Sequence, residues 1–150
     1  MQRMEPDERE EIELLRTFGE RTAGALMSTD FVTAAEDATA ADALRLVREH
    51  AEDVEMLHYV FCHDGAGRLT GVVSLKALVL APPETVLKDL FGGRLVFAKP
   101  DDGIAAVAEQ FYKYNFLALP VVGEAEKLLG IITFKHSFDE LVPYYHRQAA

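Results

Sequence analysis

The chain has 150 residues, 49% hydrophobic and 27% charged, a balance typical of a globular domain rather than a disordered chain. Its net charge of −10, with 25 acidic residues against 15 scattered basic ones, excludes nucleic acid as a main partner, because phosphate contacts need clustered lysine and arginine. No apolar stretch is long enough to cross a bilayer, and the charged N-terminus does not resemble a secretory signal. The single cysteine excludes an internal disulfide. We therefore expect a cytoplasmic protein without direct membrane insertion.

The first predicted elements are a charged N-terminal helix, a short strand and a longer helix. The N-terminal helix covers residues 6–18, and the strand covers residues 31–34. The longer helix begins with a capping box that runs from Thr39 to Asp42. Its apolar residues have the i, i+3, i+4, i+7 spacing of one helical face; they are Ala40, Ala43, Leu44 and Val47.

The pattern then predicts a hairpin and two short helices. The hairpin strands cover residues 57–62 and 69–73, on either side of a glycine-containing turn. A helix follows at residues 75–80, and a proline pair at 82–83 ends it. A second short helix at residues 86–91 links this unit to the next part of the chain.

The second half of the chain repeats the first. At a shift of 64, the short strand falls on residues 95–98 and the helical stripe falls on Ile104, Val107, Ala108 and Phe111. At a shift of 59, residues 71–76 fall on 130–135, with hairpin strands at 118–122 and 128–133. The two shifts differ by five, so the first repeat carries five extra residues between its helix and its hairpin.

These elements predict an α/β fold of two tandem β-α-β-β-α repeats, packed about a pseudo-twofold axis and preceded by one N-terminal helix. One unit alone leaves an apolar sheet face uncovered, so the two must pack together, with two related clefts where they meet. The predicted boundaries are residues 1–21 for the N-terminal helix and linker, 22–84 for repeat one, 85–141 for repeat two, and 142–150 for a C-terminal tail.

The repeated pattern resembles a known family. Gly-Val-Val-Ser at residues 71–74 and Gly-Ile-Ile-Thr at 130–133, each ahead of a predicted helix, resemble the sequence that closes a CBS (cystathionine-beta-synthase) repeat. Leu-Pro-Val-Val at residues 119–122 resembles the central strand of that family. The resemblance covers residues 22–141 and implies a Bateman module, which is a pair of CBS repeats with a regulatory, non-catalytic role.

A narrower resemblance links the chain to the CBS region of MgtE-type magnesium transporters. Residues 22–27, Thr-Ala-Gly-Ala-Leu-Met, resemble the segment that leads into that region, and residues 51–55 resemble its acidic insertion. The resemblance implies a membrane transporter as a possible regulated partner, and a homodimer, since CBS pairs commonly associate through their helices.

The CBS resemblance also implies an adenine nucleotide (AMP, ADP or ATP) bound in a cleft between the repeats. The family pattern Gly-x-x-Thr/Ser-x-x-Asp supplies a carboxylate to the ribose hydroxyls. Ser74 and Thr133 match its hydroxyl position, whereas Ala77 and His136 stand where the aspartate is expected. Neither ribose clamp is therefore intact.

Between the two clefts, we expect the ligand in the one with His136, Thr133 and Pro120. The backbone of one of two short segments would frame the base; these segments are Thr33 with Ala34, and Val96 with Phe97.

The acidic run that begins just before this insertion and continues through it is a candidate magnesium site, because hydrated magnesium is commonly held by one or two carboxylates and waters. Its residues are Glu49, Glu52, Asp53 and Glu55. The alternative is a solvated acidic loop.

Other candidate groups favour structural roles. His58, Cys62 and His63 do not have zinc-site spacing, and neither Ser74 nor Thr133 has the partners of a nucleophile, so the chain is not expected to be an enzyme. Tyr112 and Phe116, four residues apart, could form a second apolar stripe for a partner.

Two functions remain open. The first is a regulatory module that senses an adenine nucleotide, magnesium or both, in relation to divalent-cation transport. The second is a ligand-free interaction or dimerisation scaffold whose nucleotide clefts are degenerate.

Overall fold

The computed structural model describes residues 21–149 of the chain, with side chains through residue 144. The helix predicted over residues 6–18 lies outside this described part. The described chain is an α/β structure in which two similar units follow one another, as the repeat predicts.

The first unit contains a three-stranded sheet in the order β1-β2-β3. Strand β2 pairs in parallel with β1 and antiparallel with β3. Its elements, after a short helix α1 (Ala23–Leu26), are β1 (Phe31–Ala35), α2 (Ala40–His50), β2 (Met56–His63), β3 (Leu69–Ser74) and α3 (Leu75–Leu80).

A short 3₁₀ helix (Leu87–Leu90) connects this unit to the second one. The second unit is built around one antiparallel strand pair. Its elements are α4 (Ile104–Tyr114), β4 (Ala118–Val122), β5 (Leu128–Thr133) and α5 (Phe134–Ala149).

The helical stripes predicted from periodicity form the two cores. In α2, Thr39 and Asp42 make the reciprocal capping box; of the predicted stripe, Ala40, Ala43 and Val47 are buried, and Leu44 packs partly buried against the same core. All four residues of the α4 stripe are buried as well; they are Ile104, Val107, Ala108 and Phe111. Both predictions are confirmed.

The strand predicted at residues 95–98 is wrong for most of its length. Only Ala98 pairs with β4, through its N–H to the Pro120 carbonyl (2.9 Å) and its carbonyl to the Val122 N–H (2.8 Å). Pro100 lies two residues further on and has no N–H, so the pairing also stops after Ala98. Leu95 and Val96 instead line a cavity described below.

The predicted stripe of Tyr112 and Phe116 is also wrong, because α4 ends between them. Asn115 adopts the left-handed conformation (φ 59°) and its N–H donates to the Phe111 carbonyl at 2.8 Å. Phe116 therefore leaves the helix and stacks on Tyr114, with ring centroids 5.5 Å apart.

The packing crosses the boundaries predicted along the chain. Residues 22–28 were expected in repeat one, yet Ala23 is buried in the core of the second unit, and Ser28 exchanges two backbone hydrogen bonds with Ile131 (2.7 and 2.8 Å). In the same way Leu87, expected in repeat two, is buried in the core of the first unit.

A third apolar cluster joins the two units. Its buried members come from β2, β3, β4 and β5; they are Phe61, Leu69, Ala118, Val122 and Ile131. The sheet faces left uncovered by the helices are thus buried against each other, as the repeat argument requires.

Candidate functional site

Two cavities lie where the units meet, which confirms the prediction of two related clefts. The first has a volume of about 340 Å³ and lies between the ends of β2, β3 and β4 and the segment that connects the two units. Every residue of this connecting segment, residues 90–96, lines the cavity.

Aromatic rings form much of the wall of the first cavity. Tyr59 and Phe61 meet edge to face, with centroids 6.2 Å apart, and Phe116 contributes from beyond the end of α4. Phe91 lies so close over Gly71 that a Cβ at residue 71 would come within 2.4 Å of its ring. Such surfaces suit the face of a planar apolar group.

The polar groups of the first cavity are few. The Ser74 hydroxyl caps α3 by accepting the Ala77 N–H at 3.1 Å, and the Tyr59 hydroxyl accepts the Leu117 N–H at 3.3 Å. Arg94 is the one charged residue among those that line the cavity in the described structure, and it is exposed. The cavity therefore combines aromatic walls with a single positive charge.

The second cavity has a volume of about 290 Å³ and a different character. Met56, Leu117 and Phe134 supply apolar surface, whereas Asp30, Glu55, Lys135 and two histidines supply charge or titratable groups. The two histidines are His58 and His136, and Ser28 and Thr133 complete the lining.

An ion-paired contact between the two repeats lies at the second cavity. Glu55 Oε1 lies 2.5 Å from His136 Nε2, and Glu55 Oε2 lies 3.4 Å from Lys135 Nζ. The hydrogen bond from His136, followed by the Lys135 charge, lowers the pKa of the Glu55 carboxyl below its usual value. All three side chains are more than half exposed, so solvent weakens this interaction.

A comparison with protein families identifies the repeat. The model of the CBS domain matches residues 23–84 and again residues 87–136. The chain belongs to the CBS family. CBS domains are generally regulatory, non-catalytic modules.

The CBS pair is also similar to individual proteins and to solved structures. It is 36% identical over 138 residues to the magnesium transporter MgtE of Thermus thermophilus, covering 92% of this chain and 31% of that protein. The soluble part of a magnesium transporter gives a TM-score of 0.78 at 32% identity, covering 82% of this chain and 48% of that one. The cytosolic domain of the Mg²⁺ channel MgtE in complex with ATP gives 0.77 at 36% identity, covering 91% and 55%.

These matches confirm the resemblance to the CBS region of MgtE. The CBS pair spans about a third of the length of the curated relative and about half of the two crystallised chains. Within residues 21–149, no helix combines the length and the apolar character that crossing a bilayer requires.

The residues predicted to bind a nucleotide are divided between the two cavities. Ser74, Ala77, Val96 and Pro120 line the first cavity. Thr133 and His136 line the second. The expected grouping of Pro120 with His136 is therefore wrong, because β4 turns Pro120 towards the first cavity while the start of α5 carries His136 to the other.

Three further candidates line neither cavity. Thr33 is exposed, Ala34 is buried in the core of the first unit, and Phe97 is 39% exposed. Of the two framing segments that we expected, only the one containing Val96 reaches a cavity.

The four predicted magnesium ligands do not gather into a metal cluster. Within the described residues, no group of three or more His, Cys, Asp or Glu side chains is arranged to hold a metal ion. Glu49, Glu52 and Asp53 are exposed, and Glu55 is engaged by Lys135 and His136. A site that uses only one or two of these carboxylates stays a prediction.

Cys62 has the structural role expected of it. Its side chain is buried in the core of the first unit. Burial, with a smaller contribution from the Glu36 charge, raises the pKa of the thiol to about 12, so the reactive thiolate is scarce near neutral pH.

Sequence reasoning missed several cavity residues. Arg94 lies in the connecting segment, and only its position between the two repeats could have indicated in the sequence that it lines a cavity there. Lys135 aligns with Lys76 in the repeat, yet its contact with Glu55 spans 80 residues of sequence and leaves no local pattern.

Proposed function

We propose that this CBS pair is a regulatory module that binds an adenine nucleotide in the first cavity. The observation that carries the proposal is the combination found there: aromatic walls for a base, hydroxyl groups for a sugar, and Arg94 for a phosphate. No carboxylate lines this cavity in the described structure, so nothing there repels the phosphates.

The similar proteins support the same ligand class. One of the similar crystallised chains holds ATP, and it is among those most identical in sequence to this one. The second cavity is less suited to a nucleotide, because Asp30 and Glu55 bring two carboxylates to it. We therefore favour the first cavity over the one with His136.

The relatives also suggest what the module regulates. We propose that it acts in the cytoplasm on magnesium transport, since its relatives include magnesium transporters. For such regulation the nucleotide must bind two conformations of the module unequally. The segment of residues 90–96 offers a route, because it both lines the cavity and connects the repeats.

Calorimetric titration of the purified chain with ATP, ADP and AMP tests the proposal. We expect binding that weakens from ATP to AMP, and a loss of roughly tenfold in ATP affinity in Arg94→Ala, the order of one charge-assisted contact. Lys99→Ala is the matched control, since Lys99 is an exposed cation that does not line the cavity.

A chain that binds none of the three nucleotides would contradict the proposal. So would equal losses in Arg94→Ala and Lys99→Ala, because these would point to general charge rather than to the cavity.

A second function is supported by Ala77. Its methyl group lines the first cavity where the CBS resemblance implies a ribose carboxylate, as expected of a scaffold whose clefts no longer bind ligands. Failure of every nucleotide to raise the melting temperature, together with a stable dimer, would favour this scaffold.

A further inference from the structure

The second cavity already holds a negatively charged group that belongs to the protein. The Glu55 carboxylate contacts both Lys135 Nζ and His136 Nε2, which lie in the first turn of α5. The N-terminal end of a helix favours negative charge, so two basic side chains and the helix dipole act at one place. The contact demonstrates that an anionic group fits there.

Backbone hydrogen bonds hold Glu55 at this position. The Glu55 N–H donates to Asp30 Oδ2 at 3.2 Å, and the Asp30 N–H donates to Ser28 Oγ at 3.1 Å. The carboxylate is thus positioned by the segment that carries it as well as by its attraction to Lys135 and His136.

We propose that Glu55 acts as an internal competitor that keeps nucleotide phosphates out of the second cavity. The proposal rests on the proposed function, and it limits the CBS pair to one nucleotide, in the first cavity. A phosphate entering the second cavity would have to displace the Glu55 carboxylate from Lys135 and His136, or lie beside it and Asp30. Both routes cost electrostatic energy.

The charges that face the cavity support this reading. Lys135 is opposed by the two carboxylates of Asp30 and Glu55, and His58 and His136 add positive charge only when protonated. Replacing Glu55 by glutamine removes one negative charge and the ionic attraction to both basic side chains while keeping the size of the residue.

Calorimetric titration with ATP, without added divalent cations and at low salt, tests the proposal. We expect one ATP site in the unmodified chain and two in Glu55→Gln. The affinity of the second cavity for ATP should rise by about tenfold or more in the variant. Glu52→Gln is the matched control: it makes the same change in charge on an exposed side chain of the same segment, and one site should remain.

Lys135→Ala, added to Glu55→Gln, should remove the second site and so locate it. Two sites in the unmodified chain, one site in Glu55→Gln, or a second site that survives Lys135→Ala would each overturn the proposal. If the unmodified chain binds no ATP, the proposed function fails; binding gained by Glu55→Gln alone would still support the role of Glu55, and no gain would overturn it.

Discussion

At residue 77, a methyl group lines the first cavity. The neighbouring Ser74 hydroxyl already accepts the Ala77 N–H, and the described lining offers no carboxylate to a sugar. Two ribose hydroxyls in this cavity would therefore lack a charged acceptor, which makes base stacking and Arg94 the main sources of affinity for a nucleotide.

Restoring the carboxylate tests how the nucleotide lies. We expect Ala77→Asp to tighten ATP binding by roughly tenfold or more, because hydrogen bonds to a charged group contribute about 1.5–3 kcal/mol. The change is compatible with α3, since an acidic residue three positions after Ser74 forms a capping box.

The same calorimetric titration with 2′,3′-dideoxy-ATP provides the control, and Ala77→Asp should leave its affinity unchanged. An equal gain for both nucleotides would mean that the new carboxylate acts on something other than the ribose.

Individual site residues were predictable only where the repeat marked them. Ser74 and Ala77 follow from the pattern that recurs at Thr133 and His136, and both line a cavity. Arg94 lies in the segment between the repeats, which no internal copy matches. The partner of Glu55 depends on how the units pack, and periodicity carries no information about that.

At the scale of elements, helix boundaries were predicted where a local sequence signal marks them, as the proline pair at residues 82–83 marks the end of α3 at Leu80. The Thr39 capping box is a local pattern and marks the start of α2 in the structure. The end of α4 depends on the left-handed backbone of Asn115. The periodic pattern did not reveal this end, because the spacing of Tyr112 and Phe116 predicted that an apolar stripe continues past it. That turn sends Phe116 to the first cavity, so the helix end shapes the candidate site.

Substitutions at Asn115 test this role. We expect Asn115→Val to lower the free energy of unfolding by about 1–2 kcal/mol, because asparagine tolerates the left-handed conformation through its short polar side chain, whereas the β-branched side chain of valine resists it. Asn115→Gly should keep or slightly raise stability, since glycine adopts a positive φ readily. Urea denaturation followed by circular dichroism measures both, and equal values for the two variants would contradict the backbone explanation.

At the scale of the whole molecule, the two units depend on each other. Residues 22–28 pack on the second unit and Leu87 packs on the first, so each core contains chain from the other side of the predicted boundary. The shared cluster includes Phe61 and Ala118, which also line the first cavity. A ligand in that cavity would therefore contact residues that hold the repeats together.

The exposed apolar surface of α3 offers a face for the homodimer that the CBS resemblance implies. Val79 is 64% exposed and Leu80 is 73% exposed, and with Leu75 and Leu117 they line a surface groove of about 510 Å³. Lys76 and His58 also line this groove, but no acidic residue does among those described. Two copies of a chain with a net charge of −10 repel each other least through such a face, so we propose a second copy as its occupant.

Leu80→Glu tests this interface, because it places a carboxylate on each copy within the apolar groove that the second copy would cover. We expect the molar mass from light scattering to fall from twice that of the chain to that of the single chain, with an unchanged circular dichroism spectrum. Leu129→Glu is the matched control, since Leu129 is an exposed leucine (39%) that does not line the groove, and its variant should stay dimeric. A dimer that persists in Leu80→Glu, or one that dissociates equally in both variants, would mean that the copies meet through another face.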